Sequence, residues 1–252
     1  PSVVTIHDLI FMRYPEFYKP IDRKIYFKKV KYACHSADKI IAISRQTKHD
    51  IETFFHIPPE KVELIYQPVS PVFYEKQNVT ELLEKYHLPE KFILSVGTLE
   101  PRKNQLALLQ ALQSKEIQIR VVFVGKQTSS YMTEIKRFLE ENEMESQVLF
   151  LSNIPESVLA ALYQTAVLSV YISVFEGFGL PVIESMACGC PVVTSSVSVL
   201  PETAGDAAVL CNPAKVEEIA QKVLLLLEND DFLPFSPDFA EIGTTGKPKE
   251  SK

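Results

Sequence analysis

The chain has 252 residues, 46% of them hydrophobic, enough to bury a sizeable core in one large domain or two small ones. Its formal net charge of -6 argues against a general affinity for nucleic-acid phosphates. Apolar runs such as AVLSVYISVF and VLLLLE stop well short of the roughly 20 residues a membrane-spanning helix needs, so a soluble globular protein is expected.

The chain opens on the strand-like run PSVVTIH, with neither Met nor a signal peptide, and so reads as a fragment. Apolar runs rich in β-branched residues at 3–6, 39–43, 62–65, 92–96, 120–124, 148–151, 168–172 and 191–194 predict buried parallel strands. Stretches of helical period at 24–35, 46–55, 106–113, 131–140, 156–165, 182–187 and 216–228 lie between or after them. Alternating strands and helices imply an α/β winding. The acidic segment ending in LPE suggests a linker over 76–90, which separates a partial first domain (1–75) from a fuller second one (91–230). Residues 231–252, with scattered Pro and Gly and weak periodicity, read as a loose tail. No repeat of fixed period is present, which disfavours a solenoid.

Two segments carry chemistry. In EGFGLPVIE, seven residues separate Glu176 from Glu184. Gly177 and Gly179 let a backbone approach a ligand, and Pro181 suits the first position of a helix whose exposed amides would face an anion. Glu176 is expected at the end of the preceding strand and Glu184 about one turn into the helix, both flanking one ligand. In ILSVGTLEPRKN, a strand ends at Gly97, and Arg102 and Lys103 precede a helix, forming a second anion seat. Neither GxGxxG nor GxxxxGK[ST] occurs, which removes the dinucleotide fingerprint and the P-loop. Ligands of open parallel sheets sit beyond the strands' carboxyl ends, so Gly97, Gly125 and Glu176 should line one crevice. The plainer alternatives are a turn-capping Glu176, a solvated Glu184, an exposed cation pair and a structural His7. Four cysteines, Cys34, Cys188, Cys190 and Cys211, fit a reduced interior and hence the cytoplasm. The CGC triplet at 188–190 lacks a second ligand pair and reads as small packed residues rather than a metal or redox site.

Together EGFGLPVIE, the following SMACGCPVVTS, VGTLEPRKN, ADKIIAIS and VTIHDLIF resemble, in order and spacing, the retaining glycosyltransferases of family 4 over roughly residues 1 to 230. The resemblance implies a GT-B fold, two Rossmann-like domains with parallel sheets, here with the first one incomplete. It implies a hexosyltransferase-type enzyme that moves a sugar from a UDP- or GDP-sugar to a glycan or lipid-linked acceptor, as in polysaccharide biosynthesis.

By the same resemblance, Lys103 holds the nucleotide diphosphate and Glu184 accepts from the ribose hydroxyls. Glu176 stands near the donor sugar, and the amides of Phe178, Gly179 and Leu180 contact sugar and phosphate. Ile154 lies where backbone meets the nucleobase, and His7 faces the donor sugar across the cleft. The family's usual arginine directly follows the glycine, where this chain has Thr98, so Arg102 is a hypothesis for the second phosphate cation. Catalytic roles therefore fall to Glu176, His7 and Lys103. No metal or other cofactor is expected if the cations stabilise the departing diphosphate. A front-face reaction is favoured, with a covalent intermediate on Glu176 left open. The basic, aromatic stretch DRKIYFKKVKY could touch anionic lipid head groups at the inner membrane face, with a solvated helix face as its plainer reading. Two rival functions share the fold: an epimerase of UDP-N-acetylglucosamine, and a catalytically incomplete nucleotide-binding module.

Overall fold

The computed structural model describes residues 1–79 and 85–228; the expected tail at 231–252 and the middle of the expected linker lie outside them. The first sheet holds β1 (Val3–Ile6), β2 (Lys39–Ala42) and β3 (Val62–Leu64), all parallel, in that order. Around it run α1 (Ile10–Arg13), α2 (Pro20–Ser36) and α3 (Arg45–Phe55). Ser44 caps α3 by accepting from the Thr47 amide at 3.0 Å, and His56 closes it in the left-handed region at φ 53. Asp50 of α3 is 1% exposed and accepts from Arg13 Nε at 3.0 Å on each oxygen, tying α1 to α3. Losing Arg13 would strand a buried carboxylate.

The second sheet holds β4 (Phe92–Val96), β5 (Arg120–Val124), β6 (Val148–Leu151), β7 (Leu168–Tyr171), β8 (Val192–Ser195) and β9 (Val209–Cys211). The helices are α4 (Gln105–Ser114), α5 (Ser129–Glu141), α6 (Glu156–Thr165), α7 (Leu180–Ala187), α8 (Leu200–Ala204) and α9 (Val216–Leu227). All pairings are parallel in the order β6-β5-β4-β7-β8-β9, the doubly wound Rossmann arrangement. Phe92, Ile93 and Leu94 are fully buried, as helices on both faces require of a central parallel strand. Each such side chain contributes about 2 kcal/mol of burial.

Strands 3–6, 92–96, 120–124 and 148–151 lie where the sequence predicts them, and so does the helix at 156–165. α2 starts at Pro20 rather than 24, because the proline opens the helix where its missing amide hydrogen costs nothing. The short β9 and α8 have no counterpart in the sequence reading. Val69, Val72 and Phe73 pack into the second sheet's core beside α6, so the expected first-domain end at residue 75 falls within a segment already docked on the second sheet.

Candidate functional site

In a sheet of this order, the strand sequence reverses direction between β4 and β7, and a crevice opens beyond their carboxyl ends. Gly97 follows β4 with the stem of Lys103 lying over it, and the Gly125 α-carbon after β5 packs on the Gly97 carbonyl. The loops after β4 and β7 are laced together. The Val174 amide donates to the Arg102 carbonyl at 2.9 Å, and Arg102 Nη1 donates to the Phe175 carbonyl at 2.8 Å.

Between these loops lies a cluster of charges. Glu176 Oε1 is 2.6 Å from Lys103 Nζ and 2.9 Å from Arg102 Nη1. Arg102 Nη2 also donates to Glu100 Oε1 at 2.6 Å. Lys103 Nζ donates to the Tyr171 hydroxyl at 2.6 Å and sits 5.0 Å from that ring's centroid. Glu176 is 7% exposed. Burial alone would raise its carboxyl, but Lys103 and then Arg102 overcome that and hold it below the ordinary value. Burial, with the Arg102 charge added, pulls the Lys103 ammonium below its ordinary value despite the opposing pull of Glu176. Burial, with the Glu176 charge added, pushes the Tyr171 phenol far above its usual value, so Tyr171 stays protonated.

Glu176 is not at a strand end as expected. It stands in the loop beyond Phe175, and Ser198 fixes its backbone by accepting from the Glu176 amide at 3.1 Å and donating to its carbonyl at 3.0 Å. The loop could not hold this path on β7, because the strand's ladder ends at Tyr171. Nor does Pro181 take the first helical position: Gly179 caps α7 in a left-handed conformation at φ 95, Leu180 opens the helix and Pro181 follows. A proline is tolerated in this turn because its amide would have no partner there anyway. Gly177 also admits a close approach within the protein itself. A Cβ there would lie 2.4 Å from the His7 carbonyl oxygen, so the missing side chain admits the backbone just beyond β1.

That contact joins the two sheets. The His7 side chain is exposed, with Nδ1 3.3 Å from Gln67 Nε2. Phe178 stacks on Tyr66 with ring centroids 5.9 Å apart, and Phe175 lies 5.3 Å from the Tyr14 ring. Glu202 of α8 accepts from the Arg45 amide at the start of α3, at 2.9 Å.

Glu184 lies on α7, partly buried. Tyr163 of α6 directs its hydroxyl between Glu184 Oε2 at 3.3 Å and the Pro181 carbonyl at 3.2 Å. Burial raises the Glu184 carboxyl to about 7, against a lowering hydrogen bond from Tyr163 and with a further push from Glu156. Ile154 is partly buried in the core that holds Phe73 and Tyr163. The structure thus brings Lys103, Arg102 and Glu176 into direct contact, sets Gly97 and Gly125 beneath them, and puts His7 beside the loop of Gly177, Phe178, Gly179 and Leu180. Glu184 occupies a separate station on α7.

Sequence reasoning passed over Tyr171, Tyr163 and Ser198. A tyrosine ending an otherwise aliphatic strand was the available signal for Tyr171; Ser198 offered none. Burial pushes Cys188 and Cys190 up to about 12, and the Cys188 thiol donates to the Phe73 carbonyl at 3.2 Å, in keeping with packed residues. Among the described residues, no group of three or more His, Cys, Asp or Glu comes together as a metal site, and no helix is long and apolar enough to cross a membrane. α2 carries DRKIYFKKVKY with most of its length exposed, including Tyr26 and Tyr32.

The family model described as glycosyl transferases group 1 matches residues 79–243, and that of glycosyltransferase family 4 matches residues 1–73. The chain belongs to the glycosyl transferases group 1 family. Within it, the O-antigen chain mannosyltransferase B of Escherichia coli is 33% identical over 243 residues, covering 92% of this chain and 62% of the relative. The N-acetylgalactosamine-N,N'-diacetylbacillosaminyl-diphospho-undecaprenol 4-alpha-N-acetylgalactosaminyltransferase of Campylobacter jejuni is 33% identical over 160 residues, 62% of this chain and 41% of the relative. Among solved structures, the Anabaena protein Alr3699/HepE in complex with UDP and glucose superposes with a TM-score of 0.78 at 21% identity, over 93% of this chain and 64% of that one. That likeness, with the two parallel sheets, makes this a GT-B glycosyltransferase fold. The chain therefore spans less than two thirds of the length of each of these three proteins.

Proposed function

We propose that the intact protein transfers a hexose from a nucleotide-diphosphate donor, UDP- or GDP-linked, to a glycan or lipid-linked acceptor, with retention at the anomeric carbon. The observation that carries this reading is the convergence of Lys103 and Arg102 on one oxygen of Glu176 at the β4/β7 crevice. Two cations held on one buried carboxylate are already desolvated and aimed, and a diphosphate presents the same acceptor chemistry with more charge.

On arrival the diphosphate takes hydrogen bonds from Lys103 and Arg102, while the amides of Phe178, Gly179 and Leu180 at the start of α7 face the phosphate and sugar. Glu176, released from part of its pairing, stands beside the donor sugar as the glycosidic carbon gains positive charge. Glu184 accepts from the ribose diol, the backbone at Ile154 meets the base, and His7 faces the sugar from the first sheet. The acceptor's proton goes to a phosphate oxygen of the leaving group. This scheme places the leaving-group charge on protein cations and asks for no metal or other cofactor. Support for the acceptor class comes from the relatives named for O-antigen chain and diphospho-undecaprenol substrates, and support for the donor class from the neighbour bound to UDP and glucose. Work at a lipid-linked acceptor would place the protein in the cytoplasm at the inner membrane face, with the exposed basic α2 toward anionic lipid.

The test is release of UDP or GDP from a panel of nucleotide sugars by the intact parent protein, beside calorimetry of this chain with UDP and GDP. Turnover by the parent, with Lys103→Ala abolishing nucleotide binding by the chain, is expected. Binding of neither nucleotide, with Lys103→Ala indistinguishable from the parent, would sink the assignment, and an epimerised free nucleotide sugar would transfer it to the epimerase class.

A further inference from the structure

We propose that Tyr163 is a positioning residue for Glu184: its hydroxyl holds Oε2 so that Oε1 is presented to a ribose diol, and ribonucleotide recognition thereby depends on the protonation state of that one carboxyl. The inference rests on the reading of Glu184 as the ribose ligand and deepens it.

Tyr163 is 1% exposed and clamped in the core, with the Phe73 ring 6.1 Å away, so its hydroxyl has little freedom. That hydroxyl carries one proton and faces two acceptors at nearly equal distance, Glu184 Oε2 and the Pro181 carbonyl. No hydrogen bond to Oε1 occurs among the described residues. Two arrangements follow. With Glu184 charged, Tyr163 donates to Oε2, and the carboxylate keeps a free oxygen for a diol, which brings two donors. With Glu184 protonated, its own hydroxyl donates to the Tyr163 oxygen and Tyr163 turns its proton to Pro181. The diol then meets a carboxyl with one fewer acceptor and no charge to strengthen the bond.

The surroundings set the balance between these states. On α6, Glu156 opposes the charged form and Tyr163 favours it; Cys188 and Cys190 at the end of α7 and Tyr171 on β7 stay neutral beside the pair. The turn at 71–74 adds only the sequence PVFY, and Glu202 of α8 is engaged at Arg45. No salt bridge reaches Glu184 among the described residues. Burial raises the Glu184 carboxyl to about 7, so both arrangements are reached in a titration around neutral pH.

The probes are UDP and GDP, each beside its 2′,3′-dideoxy form, titrated into this chain by calorimetry between about pH 5.5 and 8.5. The dideoxy forms carry the same phosphates, so phosphate titration cancels in the ratio. For the parent, the ratio of ribo to dideoxy affinity is expected to fall with decreasing pH below a midpoint near 7, by at most about ten-fold per pH unit and toward the lower value set by the protonated carboxyl. Tyr163→Phe keeps the ring, moves that midpoint upward and shrinks the ratio at neutral pH. In a Glu184→Gln background it does neither. An unchanged midpoint and ratio in Tyr163→Phe, or the same shift in the Glu184→Gln background, would overturn the inference while leaving the nucleotide site standing. A ratio already near one in the parent, or untouched by Glu184→Gln, would instead overturn the ribose reading itself. Carboxyl and phenol carbon resonances of the unliganded parent give a check that needs no variant. Glu184 is expected to titrate near 7 with Tyr163 responding in step; titration in the ordinary carboxylate range overturns the proposal.

Discussion

Glu176 and Glu184 belong to one nine-residue motif, yet the fold gives them opposite electrostatic surroundings. Glu176 is the more buried, and two cations hold it below its ordinary range. Glu184, less buried, faces a phenol and another carboxylate and is raised to about 7. Burial acts in the same direction on both. What separates them is which strand end lies opposite: β4 brings Arg102 and Lys103 to one, whereas α6 brings Tyr163 and Glu156 to the other. Burial of a carboxylate therefore says little about its charge until its partners are known.

The strongest way to break the contrast is to remove the paired member. Glu176→Ala leaves Arg102 and Lys103 facing each other without their shared counter-charge and is expected to cost about 3–5 kcal/mol in denaturant unfolding at neutral pH. Because the Glu176 carboxyl is lowered in the fold, its contribution is present above the ordinary carboxylate value and is lost as pH falls through the folded one, so parent and variant should converge in acid. Glu184→Gln should do the reverse. The raised carboxyl makes the charged form costly in the fold, a cost absent below about 4.5 and complete above about 7. The variant should gain up to about 3 kcal/mol at pH 8 and nothing at pH 4. Gly177→Ala sharpens the comparison by moving the loop without changing any charge: its Cβ would drive back the His7 carbonyl, and a loss of about 1–3 kcal/mol with weaker nucleotide binding is expected from thermal melts and calorimetry. The smallest effect belongs to Tyr171→Phe, which removes one of the two acceptors that hold Lys103 and leaves Glu176 as the other. About 1 kcal/mol of stability should go, with a measurable rise in the Kd for UDP or GDP.

Much of the scaffold was legible because buried parallel strands must be continuous apolar runs, and 92–96, 120–124 and 148–151 are such runs. The edge strand β9 is only Val209–Cys211, too short for a period to register, and α8 is a single turn after Val199. The two glutamates and the Arg102–Lys103 pair stood out by their glycine and proline context. Their mutual contact did not, since the ion pair joins residues 73 positions apart and depends on β7 lying beside β4. Tyr163 and Ser198 look like ordinary helix and loop residues until the fold turns their hydroxyls toward the motif. The contact of Gly177 with a backbone from the other sheet is a relation carried only by tertiary packing.

The central position of β4 also bears on when the cluster of Arg102, Lys103 and Glu176 assembles during folding. β5 reaches β4 through one helical crossover, but β7 joins the other side of β4 only after β5 and β6 and their helices have intervened in the chain. Closing the longer loop is the slower event, and sheets dominated by such non-local pairing fold late. Arg102 and Lys103 hang from one strand of that pair and Glu176 from the other. On the proposed nucleotide site, a refolding chain would therefore regain most of its secondary structure before it could bind a nucleotide, and added nucleotide would act on the last step of folding by trapping β7 against β4.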